Sequence, residues 1–209
     1  MSAPSPIRIL IADDHFVVRE GLRVVLERQP DFVVVGEAVH GADAVKAFRE
    51  LQPDVTVMDL RMPVLSGLHA IREIRSSAPA ARILVLSTLD GDEDIHAALA
   101  AGALGYLLKQ SSGEQIVPAI RALHAGQPWT AEDVRLRLAA REENPPISPR
   151  EQEILELLAR GEANKQIADV LKITEHTVKS HLKHILDKLQ VPDRTAAVTV
   201  ALRRGIIHL

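Results

Sequence analysis

The chain has 209 residues, 46% of them apolar and 25% charged, with a formal net charge of −3. That composition is ordinary for a soluble globular chain, and the length suits one to two domains. The lack of cysteine excludes a disulfide framework, thiolate metal sites and thiol catalysis, and fits a reducing compartment.

The charge is uneven along the chain. Residues 1–127 carry 12 Lys+Arg against 16 Asp+Glu (−4), residues 128–146 carry 3 against 4 (−1), and residues 147–209 carry 10 against 8 (+2). An acidic front and a mildly basic rear suggest an anionic partner for the rear only. The start, Met1-Ser2-Ala3-Pro4-Ser5-Pro6, has no basic flank, and the apolar run Ile7 to Ala12 ends in two aspartates. A signal peptide is not expected, nor is a membrane span, so the expected location is the cytoplasm.

Short Ile/Val-rich runs read as buried strands at Ile7–Ile11, Phe32–Val35, Val55–Met58, Ile83–Leu86 and Leu104–Leu108. Between them lie segments of helical spacing, with Val18, Leu22 and Val25 on one face, then Leu68, Ile71 and Ile74, then Ile116, Ile120 and Leu123. Five strands alternating with five helices predict an α/β fold, a doubly wound five-stranded parallel sheet covered on both faces. This first domain is expected over residues 1–127, ending at Gly126-Gln127-Pro128. Residues 128–146 read as a linker with a possible helix at 130–142, stopped by Asn144-Pro145-Pro146.

Residues 147–209 carry helical signals only. Ser148-Pro149-Arg150-Glu151 is a complete helix start, and Gly161 a stop. Asn164 is placed to cap a second, short helix with Ile167, Ala168 and Leu171. Thr174 is placed to cap a third, with Val178, Leu182, Ile185, Leu186 and Leu189 inward, and Pro192-Asp193 separates a fourth.

Ligands of an open parallel sheet bind beyond the carboxyl ends of its strands. Strand one ends in Asp13-Asp14, strand three in Asp59, strand four in Ser87-Thr88 and strand five at Lys109. Converging carboxylates repel one another unless a cation sits among them, and hard oxygen donors suit Mg²⁺. Lys109 adds a point charge for a phosphoryl group, and Ser87 a hydroxyl donor. No GxxxxGK[ST] nucleotide loop exists, so the nucleophile of a phosphoryl transfer must be a side chain. Asp59 is the candidate, as a carboxylate that forms an acyl phosphate.

The motifs Ile9-Leu10-Ile11-Ala12-Asp13-Asp14-His15, Asp59-Leu60-Arg61-Met62-Pro63, Leu86-Ser87 and Gly102-Ala103-Leu104-Gly105-Tyr106-Leu107-Leu108-Lys109 resemble the receiver domain of two-component response regulators over residues 7–125. The resemblance implies a flavodoxin-like sheet in the order 2-1-3-4-5 and phosphorylation of Asp59 by a sensor histidine kinase. It implies metal ligation by Asp14 and Asp59 directly, Asp13 through water, and the Arg61 backbone carbonyl. It also implies a switch in which Ser87 moves to the phosphate and Tyr106 turns inward.

On the third tail helix His176, Lys179, Ser180 and Lys183 lie opposite the apolar face, and with the short helix before it this is a helix-turn-helix pattern. Ile147-Ser148-Pro149-Arg150-Glu151, Gly161, Asn164-Lys165-Gln166-Ile167-Ala168, Thr177-Val178-Lys179-Ser180-His181, Lys188-Leu189 and Arg194 resemble the LuxR-type output domain over residues 147–207. Both halves together resemble the NarL-like class. That resemblance implies base contacts from Lys179, Ser180 and Lys183, and phosphate contacts near Asn164, Lys165, His176, Thr177 and Lys188. It implies pairing of output domains through Val198, Ala201 and Leu202, so that a homodimer, formed when active, grips double-stranded DNA at a two-fold operator.

The reading is therefore a DNA-binding transcriptional regulator rather than an enzyme. An Asp-nucleophile phosphohydrolase would place a second acid two residues after the nucleophile, where this chain has Arg61. A regulator independent of phosphorylation would have no need of the complete set Asp13, Asp14, Asp59, Ser87 and Lys109.

Overall fold

The structure, a computed structural model, describes residues 5–88, 91–132, 134, 135 and 146–208, with the backbone alone at 92, 111 and 112. Two compact units are present.

The first unit is built on strands β1 (Ile7–Ala12), β2 (Phe32–Ala38), β3 (Val55–Met58), β4 (Ile83–Ser87), β5 (Gly105–Leu108) and β6 (Trp129–Thr130). Among the described residues these form one parallel sheet in the order β2-β1-β3-β4-β5-β6. Helices α1 (Phe16–Glu27), α2 (Gly41–Leu51), α3 (Gly67–Ser77), α4 (Asp92–Ala100) and α5 (Ser112–His124) connect the strands. Ile9, Leu10, Ile11, Val55, Val57, Met58, Ile83, Leu84, Val85 and Leu86 are all buried. Sheet faces covered on both sides explain why these strands read as unbroken apolar runs instead of alternating ones.

The sheet order of the first five strands is as expected, but the strand count is corrected to six. Thr130, read as the start of a possible linker helix, is extended and pairs with Tyr106, while Trp129 pairs with Gly105. The pairing depends on Gly105, where a Cβ would lie 2.8 Å from the Trp129 carbonyl oxygen. Ala131 and Val134 beyond the strand are buried. Residues 136–142 of the expected linker helix lie outside the described residues. β2 also runs three residues further than its apolar run suggested, with a register shift opposite Ile9 and Leu10 that carries it to Ala38.

The second unit contains helices α6 (Pro149–Ala159), α7 (Asn164–Leu171), α8 (Glu175–Leu189) and α9 (Arg194–Arg203). Its core is Ile154, Leu155, Ile167, Val178, Ile185, Leu189 and Ala197, closed by Ile206 and Ile207. The expected start of α6 is present: Ser148 Oγ accepts from the Glu151 N–H, and Glu151 Oε2 accepts from the Ser148 N–H at 2.7 Å. Thr174 caps α8 by accepting from the Thr177 N–H, and Asp193 caps α9. The start of α7 differs by one residue. Asn164 is its first helical residue, Ala163 holds the cap position, and Gln166 Oε1 accepts the Ala163 N–H at 2.7 Å. Gln166, the third helical residue, thus reaches back to the N–H of the cap residue itself.

Candidate functional site: an acidic pocket and a basic helix face

The backbone fixes the pocket before any side chain acts. The Asp59 N–H donates to the Ala12 carbonyl at 2.8 Å, and the Asp13 N–H to the Ala38 carbonyl at 3.1 Å. Each aspartate thus leaves its strand at the same sheet edge. Gly67 lies behind Asp59, its N–H 2.9 Å from the Leu60 carbonyl, and a Cβ there would overlap the Asp59 carbonyl oxygen. Only glycine permits this approach.

Asp13, Asp59 and Ser87 are buried, whereas Asp14 is partly open to solvent. Lys109 Nζ lies 2.6 Å from Asp13 Oδ2 and 2.8 Å from Asp59 Oδ2. Burial pushes the Asp59 carboxyl above its ordinary range; Lys109 opposes that push, the Asp13 carboxylate adds to it, and the net direction is up. For Lys109 burial works against the charge, but the hydrogen bonds to Asp13 and Asp59 outweigh it and hold the ammonium above its ordinary value. The lysine is therefore a fixed cation beside a carboxylate that ionises reluctantly. The Arg61 N–H makes a long contact, 3.4 Å, to Asp59 Oδ1. Thr88 is exposed, and Tyr106 is fully buried on β5, paired in register with Val85.

The expected strand-end residues Asp13, Asp14, Asp59 and Lys109 are thus brought together. Asp13, Asp14, His15 and Asp59 can each offer one ligand atom within 4.8 Å of all the others. Oxygen donors at this spacing fit a small divalent cation, with Lys109 as the neutralising charge in its place.

Two residues of the pocket had no role in the sequence reading. His15 Nδ1 lies 2.9 Å from Asp14 Oδ1 and 3.3 Å from Asp13 Oδ1. Its only signal was adjacency to the aspartate pair. Arg19 is buried and donates to the Asp13 carbonyl at 2.8 Å and to Glu37 Oε2 at 3.1 Å, with Arg23 also pairing with Glu37. An arginine at the same helical spacing as the inward Leu22 and Leu26 was the signal for it.

In the second unit α7, the turn at Lys172-Ile173 and α8 make a helix-turn-helix. Lys172 turns the chain in the left-handed region, φ 54°. Val178, Ile185 and Leu189 face the core, leaving His176, Lys179, Ser180 and Lys183 exposed on the other side. Lys179 pairs with Glu175 at 2.9 Å, one turn back. Lys165 is exposed, Thr177 half-buried with its hydroxyl 2.8 Å from that of Thr174. Asn164 is half-buried, its amide oxygen shut from solvent without a hydrogen-bond partner.

Two of the expected residues have partners within their own unit. Lys188 is turned inward, its Nζ 2.7 Å from buried Glu151 Oε2 and 3.2 Å from the Pro146 carbonyl, so it holds helices together instead of joining the exposed basic face. Ala201 is fully buried in the core of its own unit, whereas Val198 and Leu202 are half-buried at its edge.

Known proteins agree with both halves. Residues 9–121 match the response regulator receiver domain, and residues 145–201 match the bacterial regulatory proteins of the luxR family. The transcriptional regulatory protein LiaR of Bacillus subtilis is 41% identical, the match covering 97% of this chain and 100% of that one. The nitrate/nitrite response regulator NarP of Escherichia coli is 40% identical over 98% of each chain. RcsB of Salmonella enterica serovar Typhimurium, solved bound to promoter P1flhDC with the phosphomimetic BeF3−, superposes with a TM-score of 0.74 at 30% identity, covering 94% of this chain and 98% of that one. With a receiver sheet whose carboxylates converge on one edge, and a helix-turn-helix with a basic outer face, the chain belongs to the two-component response regulators that regulate transcription through a LuxR-type DNA-binding domain.

Proposed function

We propose that Asp59 is the phosphoacceptor of this regulator and that a sensor histidine kinase is the donor. The observation that carries the reading is the contact of Lys109 Nζ with both Asp59 and Asp13, at 2.8 and 2.6 Å. A carboxylate fixed beside a permanent cation, at the mouth of a parallel sheet, is placed to attack phosphorus while developing charge is neutralised. Asp14 and Asp59, Asp13 through water, and the Arg61 carbonyl would hold Mg²⁺, which when bound neutralises phosphoryl oxygens. Lys109 then pairs with the phosphoryl group instead of the bare carboxylate. Ser87 and buried Tyr106 are the switch pair: the hydroxyl moves toward the phosphate and the ring occupies the space behind it.

The receiver then spans the chain through β6 and the buried Val134, and the output domain begins near Ile147. Lys179, Ser180 and Lys183 read base edges from the major groove, while Asn164, Lys165, His176 and Thr177 sit by phosphates. Two copies joined through Val198 and Leu202 bind a two-fold operator when phosphorylated. The protein works in the cytoplasm and has no enzymatic turnover beyond handling its own phosphoryl group; among the described residues no helix is long and apolar enough to cross a membrane.

Incubation with acetyl phosphate and Mg²⁺ followed by intact-mass measurement tests this. A single phosphoryl gain that vanishes in Asp59→Asn is expected. Steady phosphate release without an adduct would identify a phosphohydrolase instead, and no reaction a regulator independent of phosphorylation.

A further inference from the structure

We infer that His15 adds a nitrogen donor to the Asp13–Asp14–Asp59 cluster, so that this receiver favours imidazole-binding divalent ions such as Co²⁺ over Mg²⁺ through this one side chain. The inference rests on the metal-binding part of the function proposed above. Its starting point is a distance pattern. His15 Nδ1 lies 2.9 Å from Asp14 Oδ1 and 3.3 Å from Asp13 Oδ1. Neighbouring ligands of an octahedral ion with bonds of about 2.1 Å are about 3.0 Å apart, and opposite ones about 4.2 Å. One ligand atom from each of Asp13, Asp14, His15 and Asp59 falls within 4.8 Å of all the others, so the set has to draw in by about half an ångström to close on an ion.

The backbone supports the placement. His15 stands at the cap position of α1 with extended dihedrals, φ −84° and ψ 110°, and its N–H donates to Asp13 Oδ1 at 2.9 Å. The same carboxylate that lines the pocket therefore holds the residue carrying the imidazole. With 66% of its side chain exposed, His15 contributes little packing. Its position matters for ligand type. An all-oxygen site suits Mg²⁺, which takes nitrogen reluctantly, whereas one imidazole raises affinity along the series toward later transition ions.

A simpler role for the ring is to donate a hydrogen bond that orients Asp14, and the experiment separates the two. Mg²⁺ and Co²⁺ are titrated calorimetrically into the full-length chain at about pH 7.5. The chain has nine histidines, so the Co²⁺ site is defined as the fraction displaced by excess Mg²⁺. His15→Ala and His15→Asn are each expected to weaken Co²⁺ about tenfold while leaving Mg²⁺ within about twofold, and to shift the Co²⁺ visible band. Asparagine keeps a donor to Asp14 without the imidazole. Recovery of Co²⁺ binding in His15→Asn, equal losses for both metals, or no loss for either would overturn the inference. Mg²⁺ binding that is absent, or untouched by Asp14→Asn, would instead overturn the metal reading beneath it.

Discussion

Lys109 Nζ stands 2.8 Å from Asp59 Oδ2, so the cation of the pocket is already committed to the carboxylate proposed as the phosphoacceptor. The pairing does not fully offset burial and the neighbouring Asp13, because the Asp59 carboxyl stays above its ordinary range. A carboxyl with a raised folded-state pKa contributes stability at low pH, and that contribution is lost as pH rises through the folded value. At neutral pH without divalent ions Asp59 therefore strains the receiver. Asp59→Asn should raise its stability by about 1 kcal/mol in urea melts with chelator. With excess Mg²⁺ the order should shrink or reverse, since only the wild type gains a full ligand set. Equal stabilities in both conditions would contradict this account.

Gly67 offers a test of the scaffold. A methyl group at this position meets the Asp59 carbonyl oxygen, which is backbone and cannot swing aside. Gly67→Ala should cost about 1–3 kcal/mol and slow formation of the Asp59 adduct, because the loop that aims the carboxylate has to shift. Gly113, where an added Cβ meets nothing within 4 Å, is the matched control: Gly113→Ala should leave adduct formation unchanged.

Glu151 ties three parts of the output domain together: the Ser148 N–H, the start of α6 and Lys188 on α8. Burial raises its pKa, but the bonds from Lys188 and Ser148 outweigh that and leave the carboxyl below its ordinary value of 4.5. Stability from a depressed carboxyl is present above the unfolded value and lost as pH falls through the folded one. The output domain should lose stability below about pH 4.5, and Glu151→Gln should flatten this part of the profile while costing about 1–3 kcal/mol at neutral pH. Thermal melts across pH 3 to 7, roughly, would record both.

The two lysines Lys183 and Lys188 should behave differently on DNA. Lys183→Ala removes an exposed charge from the outer face of α8, and should weaken operator binding about tenfold and lower the salt slope by about one. Lys188→Ala should leave the salt slope unchanged and lower the melting temperature, since its ammonium is spent on Glu151 and Pro146. Fluorescence anisotropy against salt, using DNA selected with the phosphorylated protein, distinguishes them.

The parallel sheet and the pocket were legible in the chain because each strand ends on a residue whose chemistry makes sense only beside the others. Asp13, Asp59 and Lys109 lie far apart in sequence, yet the βα topology forces them to one edge. Helix starts at Ser148 and Thr174 were readable for a local reason, as their caps reach only three residues ahead. Legibility failed where a tertiary partner decides the outcome. Trp129-Thr130 is too short for a strand signal and becomes one by pairing with β5. Lys188 has the spacing of a surface residue, and only the packing of α6 against α8 supplies the buried carboxylate that draws it in. Ala201 is small enough for either a core or an interface, and its own domain claims it.

The sixth strand has a mechanical meaning. Trp129 and Thr130 share their hydrogen-bond ladder with Gly105 and Tyr106, and Lys109 follows three residues after Tyr106 on the same run of chain. Whatever displaces β5 carries β6 with it, because parallel neighbours in register cannot slide independently without breaking the ladder. The receiver's exit toward the output domain is thus hitched to the strand that leads into Lys109, like a drawbar coupled to the axle that turns.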